Sequence, residues 1–332
     1  MAGLHLVTPA EYRRALLQGI PNATRRVVIA AMIVLWGGQT EAIFDEIQKA
    51  LQRGVQVTIL LDIFTAATLL NHMPHARQYW EKTNALLHEL YSAGATIYRV
   101  GSMGMNPYRK RCHVKITVID NDAYSFGGIN FFNEQFQNND YMLLVRSQQY
   151  ADCLVELVDR IGRSKGRLPN AAVHIDTAHT ILFDGGQPDD SIIYQKACEL
   201  AAQATRAYYV SQCAVSGPLA KLLGDINTTY YTNRPEHMHL PSSWAQAFDL
   251  QRYHTTNSYS RSQYIHAKYI LFELPGGRRA LLSGSNNFSY RGIAYGTKEI
   301  ALYSTDRDLW QQLLDYLEHT IVRGHGRPPK QT

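Results

Sequence analysis

Two stretches of this chain carry the same reactive side chains at nearly the same spacing. The first is His113-Val114-Lys115, four residues, Asp120, six residues, then Gly127-Gly128-Ile129-Asn130. The second is His266-Ala267-Lys268, four residues, Glu273, then Gly284-Ser285-Asn286-Asn287. Each supplies an imidazole, an ammonium group and a carboxamide. A histidine and a lysine two apart on a strand share a face, so both can reach one phosphate. The strand that follows returns an asparagine to the same neighbourhood. A lone strand histidine is usually a core or surface residue, but two such sets 153 positions apart, at 113 and 266, argue for shared chemistry. His113 and Asp120 differ by seven positions, as do His266 and Glu273. On a regular strand that odd offset turns the acid to the other face. Asp120 and Glu273 are therefore expected to be structural ion-pair acids outside the reaction centre.

The elements around the motifs alternate. Arg26 to Leu35 is a β-branched run, Thr40 to Arg53 has the apolar stripe Ile43, Ile47, Ala50, Leu51 of a helix on a sheet, and Val55 to Leu61 is a buried strand ending in Asp62. This βαβ order predicts a parallel sheet. A helix over about Ala76 to Leu90 and a strand over Ala95 to Val100 follow. Strand-like runs then cover His113 to Asp120, Ala123 to Asn130 and Asp140 to Arg146, and a helix covers Gln149 to Ile161. Ser164 to Asn170 reads as a linker. The second half repeats the order: helix Ser191 to Ala202, strand Arg206 to Cys213, helix Pro218 to Leu223, an extended run over Thr228 to Thr232, strands His266 to Glu273, Arg279 to Ser283 and Glu299 to Tyr303, and a helix over Leu309 to Ile321. Asn233 to Tyr264 is polar and aromatic with little period and reads as a long functional loop. The expected organisation is an internal duplication, 1–168 and 169–332.

The bulk numbers permit this. The 332 residues are 45% hydrophobic and 18% charged, enough for a sizeable core and inconsistent with global disorder. A net charge of +5 fits an anionic substrate without requiring one. The four cysteines form no C-x-x-C pair and no zinc spacing. Met1 to Arg14 has no apolar signal region, and the longest apolar run, Val27 to Trp36, is shorter than the roughly 20 residues a span needs. The expectation is a cytoplasmic protein able to sit peripherally on the inner face of a membrane.

H-x-K-x4-D followed by G-G/S-x-N resembles the signature of the phospholipase D superfamily. The first copy matches throughout; the second has Glu273 for Asp, and ten residues before Gly284, including Pro275-Gly276-Gly277, a lengthened hairpin turn. The resemblance implies two similar α/β halves, each a mixed, mostly parallel sheet flanked by helices, packed around a central active-site cleft. It implies metal-free, cofactor-free phosphoryl transfer. One imidazole attacks phosphorus and the other protonates the leaving oxygen, then activates the acceptor. His113 is the expected nucleophile and His266 the acid, then base. Lys115 and Lys268, with Asn130, Asn287 and Ser285, would hold the phosphate oxygens. An acid downstream of each G-x-x-N would orient a histidine, and Asp140 and Glu299 are the candidates.

Within the superfamily, Gly127 to Phe131 with the strand from Asp140, and Gly284 to Arg291 with Lys298-Glu299, look similar to cardiolipin synthases and other phosphatidyltransferases. The resemblance thus favours a phospholipid phosphodiester as substrate. A nuclease of the same superfamily is the alternative, less favoured because no long Lys/Arg stripe marks a nucleic-acid footprint; a third is a non-catalytic lipid- or nucleic-acid-binding relative. No dimer is required, since one chain carries both histidines. Three other features have two readings each. Tyr108-Arg109-Lys110-Arg111 is a phosphate-attracting rim or a solvated loop; Phe64 to Leu70, with Met73 and Trp80, is a membrane-touching helix or packed core; His254, Tyr259 and Arg261 line the pocket or serve its surroundings.

Overall fold

Arg26–Ala31 is buried at every position after the first, as a strand covered on both faces must be. Its side chains alternate between two cores: Val28 and Ala30 face the middle of the molecule, and Val27, Ile29 and Ala31 face outward beneath helices. The computed structural model describes residues 3–63, 76–101, 110–164, 166–238 and 242–324. Its first half runs β1 (Leu4–Val7), α1 (Pro9–Asn22), β2 (Arg26–Ala31), α2 (Glu41–Gln52), β3 (Gln56–Asp62), α3 (Ala76–Ser92), β4 (Thr96–Val100), β5 (Ile116–Ile119), β6 (Asp122–Ser125), β7 (Met142–Arg146) and α4 (Gln148–Arg163). Its second half runs β8 (Ala171–His174), β9 (His179–Gly185), α5 (Ile192–Ala201), β10 (Arg206–Ser211), α6 (Pro218–Gly224), β11 (Asn227–Thr232), α7 (Ser242–Arg252), β12 (Tyr269–Leu274), β13 (Arg278–Gly284), α8 (Tyr290–Tyr295), β14 (Lys298–Ser304) and α9 (Arg307–Tyr316).

The strands make two seven-stranded sheets, ordered β1-β7-β6-β5-β2-β3-β4 and β11-β10-β12-β13-β14-β9-β8. Six strands of one superpose in order and direction on six of the other: β1, β7, β6, β5, β2, β3 correspond to β9, β14, β13, β12, β10, β11. The first half adds β4 at one edge and the second adds β8 at the other. α1, α2 and α4 have α5, α6 and α9 as counterparts in the same places along the chain. This is the fold of a duplicated α/β unit, with α4, α9 and the inner faces of both sheets sharing one core. The sheets are mixed but not mostly parallel. Among the strands of the described residues, isolated bridges aside, only β2–β3, β3–β4 and β10–β11 pair in parallel. The βαβ start of each half sets those pairs; the motif strands then follow one another through short turns, and such hairpins are antiparallel.

Six elements escaped the sequence reading, β1, α1, β8, β9, α7 and α8, and two of them show why. α1 opens with a capping box in which the Thr8 hydroxyl accepts from the Glu11 amide and Glu11 accepts from the Thr8 amide, at 3.3 and 2.8 Å. It buries Tyr12, Leu16 and Ile20, one stripe at i, i+4, i+8. α7 lies inside the segment read as a loop, because its apolar residues do not face the core.

The motif acids sit away from the motif histidines, in unlike surroundings. Asp120 lies in the turn just past β5, with φ of 51°, and is not on a regular strand. Its carboxylate accepts from the amides of Thr24, Arg25 and Arg26 at 3.0, 2.8 and 3.0 Å. Burial alone would raise its pKa; these amides hold it below the usual value. It therefore ties a turn to the start of β2 and is not primarily an ion-pair acid, which corrects the expectation. Glu273 does lie on a strand, opposite Arg206 of β10 and Arg279 of β13, an arrangement of opposite charges that favours sheet pairing. Glu273→Asp keeps that charge, and the Thr205 bonds go to its backbone oxygen. We expect turnover to be unchanged and stability to move by no more than about 0.5 kcal/mol. A well-folded Glu273→Asp protein with severely reduced turnover would refute the remote placement.

Candidate active site

The histidine–lysine segments are not part of the strands expected to carry them. β5 begins at Ile116 and β12 at Tyr269, one residue past each lysine. The lead-in residues pair with the opposite half instead. Cys112 bridges Lys298 in parallel: the His113 amide donates to the Lys298 carbonyl and the Lys298 amide to the Arg111 carbonyl, both at 2.8 Å. Ile265 bridges Asn139 in the same sense, with the Asn139 amide donating to the Tyr264 carbonyl and the Ala267 amide to the Asn139 carbonyl, at 2.9 and 3.0 Å. Lys298 and Asn139 are the residues just before Glu299 and Asp140. Backbone that would otherwise extend each motif strand is spent joining the halves.

These bridges cross the acids over. Glu299 of the second half meets Nδ1 of His113 at 3.1 and 3.2 Å through its two oxygens. Asp140 of the first half meets Nδ1 of His266 at 2.7 Å. A carboxylate at Nδ1 fixes the proton there and leaves Nε2 with a lone pair. Burial lowers the pKa of both imidazoles despite these acids. Lys115 adds to the effect on His113, and Lys268 helps push His266 down to about 3. Burial would raise the pKa of Glu299, but His113, Lys115 and Ser285 hold it below its ordinary value.

Gly127 and Gly284 make these approaches possible. A Cβ on Gly127 would fall 1.8 Å from the Tyr141 carbonyl oxygen, and one on Gly284 2.3 Å from that of Ile300. The next residue supports the acid differently in each half. Gly128 donates its amide to Asp140 at 3.1 Å, whereas Ser285 donates its hydroxyl to Glu299. Ser285 is fully buried and bound to that acid, so its expected phosphate contact is replaced by support of Glu299.

Lys115 and Lys268 are 1% and 0% exposed. Each ammonium donates to the carbonyl of its own motif histidine, Lys115 to His113 at 2.7 Å and Lys268 to His266. Burial lowers the pKa of both; the neighbouring charge of Lys268 lowers Lys115 further, and Lys268 falls to about 8. Two buried ammonium groups are tolerable here because Asp140 and Glu299 balance them. Asn130 accepts from the Ile33 amide at 3.3 Å through Oδ1, so its NH2 end is the one able to meet an anion. Asn287 lines a cleft of about 600 Å³ with His113, Glu299, Asn286 and Arg291. Met32, Met238, Trp244, Ala245 and Tyr295 supply an apolar wall.

Several positioning residues were not found from sequence. Asp62 at the end of β3 accepts from the Cys112 amide at 2.6 Å and from Arg111 at 2.8 Å. Asn233, just past the corresponding β11, accepts from the Ile265 amide at 2.8 Å and donates to the Ile265 carbonyl at 2.7 Å. The halves thus use an Asp and an Asn at one place to hold the residue before each histidine. The only sequence signal was an acid ending a strand, which is common. Arg111, read as part of a basic rim, is buried against Asp62, while Tyr108 and Arg109 lie outside the described residues. Phe64 to Leu70 and Met73 also lie outside them, and Trp80 packs against the outer core. His254, Tyr259 and Arg261 do not line this cleft. Tyr259 accepts from the Asn139 side chain at 3.0 Å, and Arg261 donates to the Thr320 and Ile321 carbonyls at 2.8 and 3.1 Å. Among the described residues no helix is long and apolar enough to cross a membrane, and no three His, Cys, Asp or Glu side chains gather as metal ligands.

Residues 16–161 match the family model described as cardiolipin synthase, PLD-like domain. Two curated relatives, cardiolipin synthase B of Salmonella typhimurium and of Salmonella typhi, are each 26% identical over 170 residues. The match covers 47% of this chain and 38% of either relative. Among solved structures, phosphatidylserine synthase of Haemophilus influenzae superposes with a TM-score of 0.72 at 14% identity, over 95% of this chain and 84% of that one. Polyphosphate kinase of Porphyromonas gingivalis superposes at 0.58 with 12% identity, over 96% of this chain and 50% of that one. At such identities these two show a shared fold. Family match, duplicated motif and strand order agree: residues 16–161 resemble the PLD-like domain of that family, and the second half repeats its motif and strand order.

Proposed function

We propose that the chain is a phosphatidyltransferase or phospholipase D-type enzyme acting on phospholipid phosphodiesters through a covalent phosphohistidine. One observation carries the reading: two imidazoles, each with an acid of the other half on Nδ1, are each also acted on by the charge of the other half's buried lysine. His113, which opens on the cleft, attacks phosphorus through Nε2. The P–N bond forms as the P–O bond to the leaving alcohol breaks; His266, which burial keeps neutral before substrate arrives, takes up a proton at Nε2 when the anionic phosphodiester binds beside it and gives that proton to the leaving oxygen. His266 then takes the proton of the acceptor hydroxyl or water, whose oxygen displaces His113. Lys115 and Lys268, with Asn130 and Asn287, stabilise the charge on the phosphoryl oxygens. One chain supplies all of these groups, so no second copy is needed. The lipid preference is supported by the cardiolipin synthase relatives and by the apolar cleft wall.

A substrate panel tests the assignment: labelled phosphatidylglycerol and CDP-diacylglycerol with acceptor alcohols, beside single-stranded DNA, each with and without a chelator. Lipid transfer or hydrolysis that survives chelation is the expected result. Cleavage of DNA alone would make the protein a nuclease, and binding without turnover would make it a non-catalytic relative.

A further inference from the structure

Helix α7 is built inside out. The side chains it buries are polar. Gln246 accepts from the Ala214 amide and donates to the Asn233 carbonyl, both at 2.7 Å, and Asp249 accepts from Arg291. Its two aromatic side chains point the other way, Trp244 being 71% exposed and Phe248 54%, while Leu250 is half-buried. Residues four apart share a helical face, and the exposed Arg252 continues the same stripe, its guanidinium 5.7 Å from the Phe248 ring. A helix of a water-surrounded protein ordinarily buries its apolar stripe. Here the inward face is satisfied by hydrogen bonds, so folding gains nothing from the two aromatic rings outside. Trp244 also lines the cleft that holds His113, which places the stripe at the cleft mouth.

We propose that the Trp244–Phe248–Arg252 face docks the protein on an anionic lipid bilayer, with the cleft mouth against the membrane. Aromatic rings suit the interfacial layer, and the arginine at the end of the stripe complements lipid phosphates. The purpose of docking rests on the lipid reading of the active site, but the docking itself can be measured without turnover.

The experiment uses the full chain and co-sedimentation with vesicles of phosphatidylglycerol and phosphatidylcholine, beside vesicles of phosphatidylcholine alone. The variant is Phe248→Ser with Arg252→Ser, both exposed positions outside the cleft lining. The wild type should partition onto the anionic vesicles, and the variant about tenfold or more weakly at an unchanged melting temperature. Turnover of a short-chain, water-soluble phosphodiester should be the same in both proteins. Equal partitioning of variant and wild type, or no partitioning of the wild type, would overturn the proposal. So would a variant that loses affinity for single-stranded DNA and keeps it for vesicles. Vesicle binding lost in the variant, in a protein that turns over no lipid, would leave the docking face standing and remove the proposed activity.

Discussion

His113→Ala should reduce turnover by about 10⁴- to 10⁶-fold, the scale seen when a covalent nucleophile is removed, and should leave no phosphoenzyme. His266→Ala should instead accumulate an acid-labile adduct on His113 when the substrate has a good leaving group. Attack is then still possible, but breakdown lacks its base. Mass spectrometry of the two variants separates the roles; an adduct found on His266 would exchange the assignments and keep the mechanism. The same chemistry fixes the pH profile. Attack needs neutral His113, whose pKa lies below the ordinary histidine value. Activity should therefore fall only on the acid side of about 6.5. Leaving-group protonation needs His266 to take up a proton with the substrate, and charge stabilisation needs protonated Lys268, which burial pushes down to about 8, so kcat/KM should fall again as pH rises, at the latest through that region. The resulting bell belongs to the coupled groups and not to single residues. A rate rising steadily beyond pH 9 would refute the role of the lysine charge.

Lys268→Met is the second large effect. Removing a donor aimed at developing charge costs about 10²- to 10³-fold in kcat. The buried setting adds a structural cost, because Asp140 and Glu299 would then lack one of the two charges that balance them. Breaking such buried compensation typically costs about 3–5 kcal/mol, so the melting temperature should drop with the rate. Lys268→Arg, retaining the charge, should recover most of the stability and less of the rate, since the larger guanidinium cannot reproduce the ammonium's bond to the His266 carbonyl. A Lys268→Met protein with near-normal turnover would remove the lysine from the mechanism.

The candidate site was legible in the sequence because its motifs are local: H-x-K and G-x-x-N are spacings within a few residues, and repetition made them specific. The order of β2 to β7 and of β10 to β14 followed from hydrophobic runs, whereas β1, β8 and β9 did not show. What sequence spacing could not convey is which half supplies which partner. Asp140 lies ten residues past Asn130 and Glu299 twelve past Asn287, yet each serves the other half's histidine. That outcome depends on two isolated backbone bridges with no sequence signature. Ser285 was misread for a related reason, since the buried acid beside it takes its hydroxyl before any phosphate can. The excess of parallel pairing came from giving one βαβ unit the weight of the whole sheet. α7 was invisible because periodicity detects helices by the apolar face they bury, and this one buries glutamine and aspartate.

The exchange of acids between halves is what a two-fold axis does to a self-complementary interface: each side gives what it receives. Neither half then holds a complete candidate site, since alone it would have a histidine without its acid and an acid without its histidine. In an assembly of two identical halves, every change on one side would be forced on the other. A single covalent chain lifts that constraint. Here it has let the two centres diverge, Asp140 supported by a glycine amide and Glu299 by a serine hydroxyl, with His113 facing the cleft and His266 more deeply enclosed. The proposed reaction, in which one imidazole attacks while the other carries a proton, would make use of that inequality.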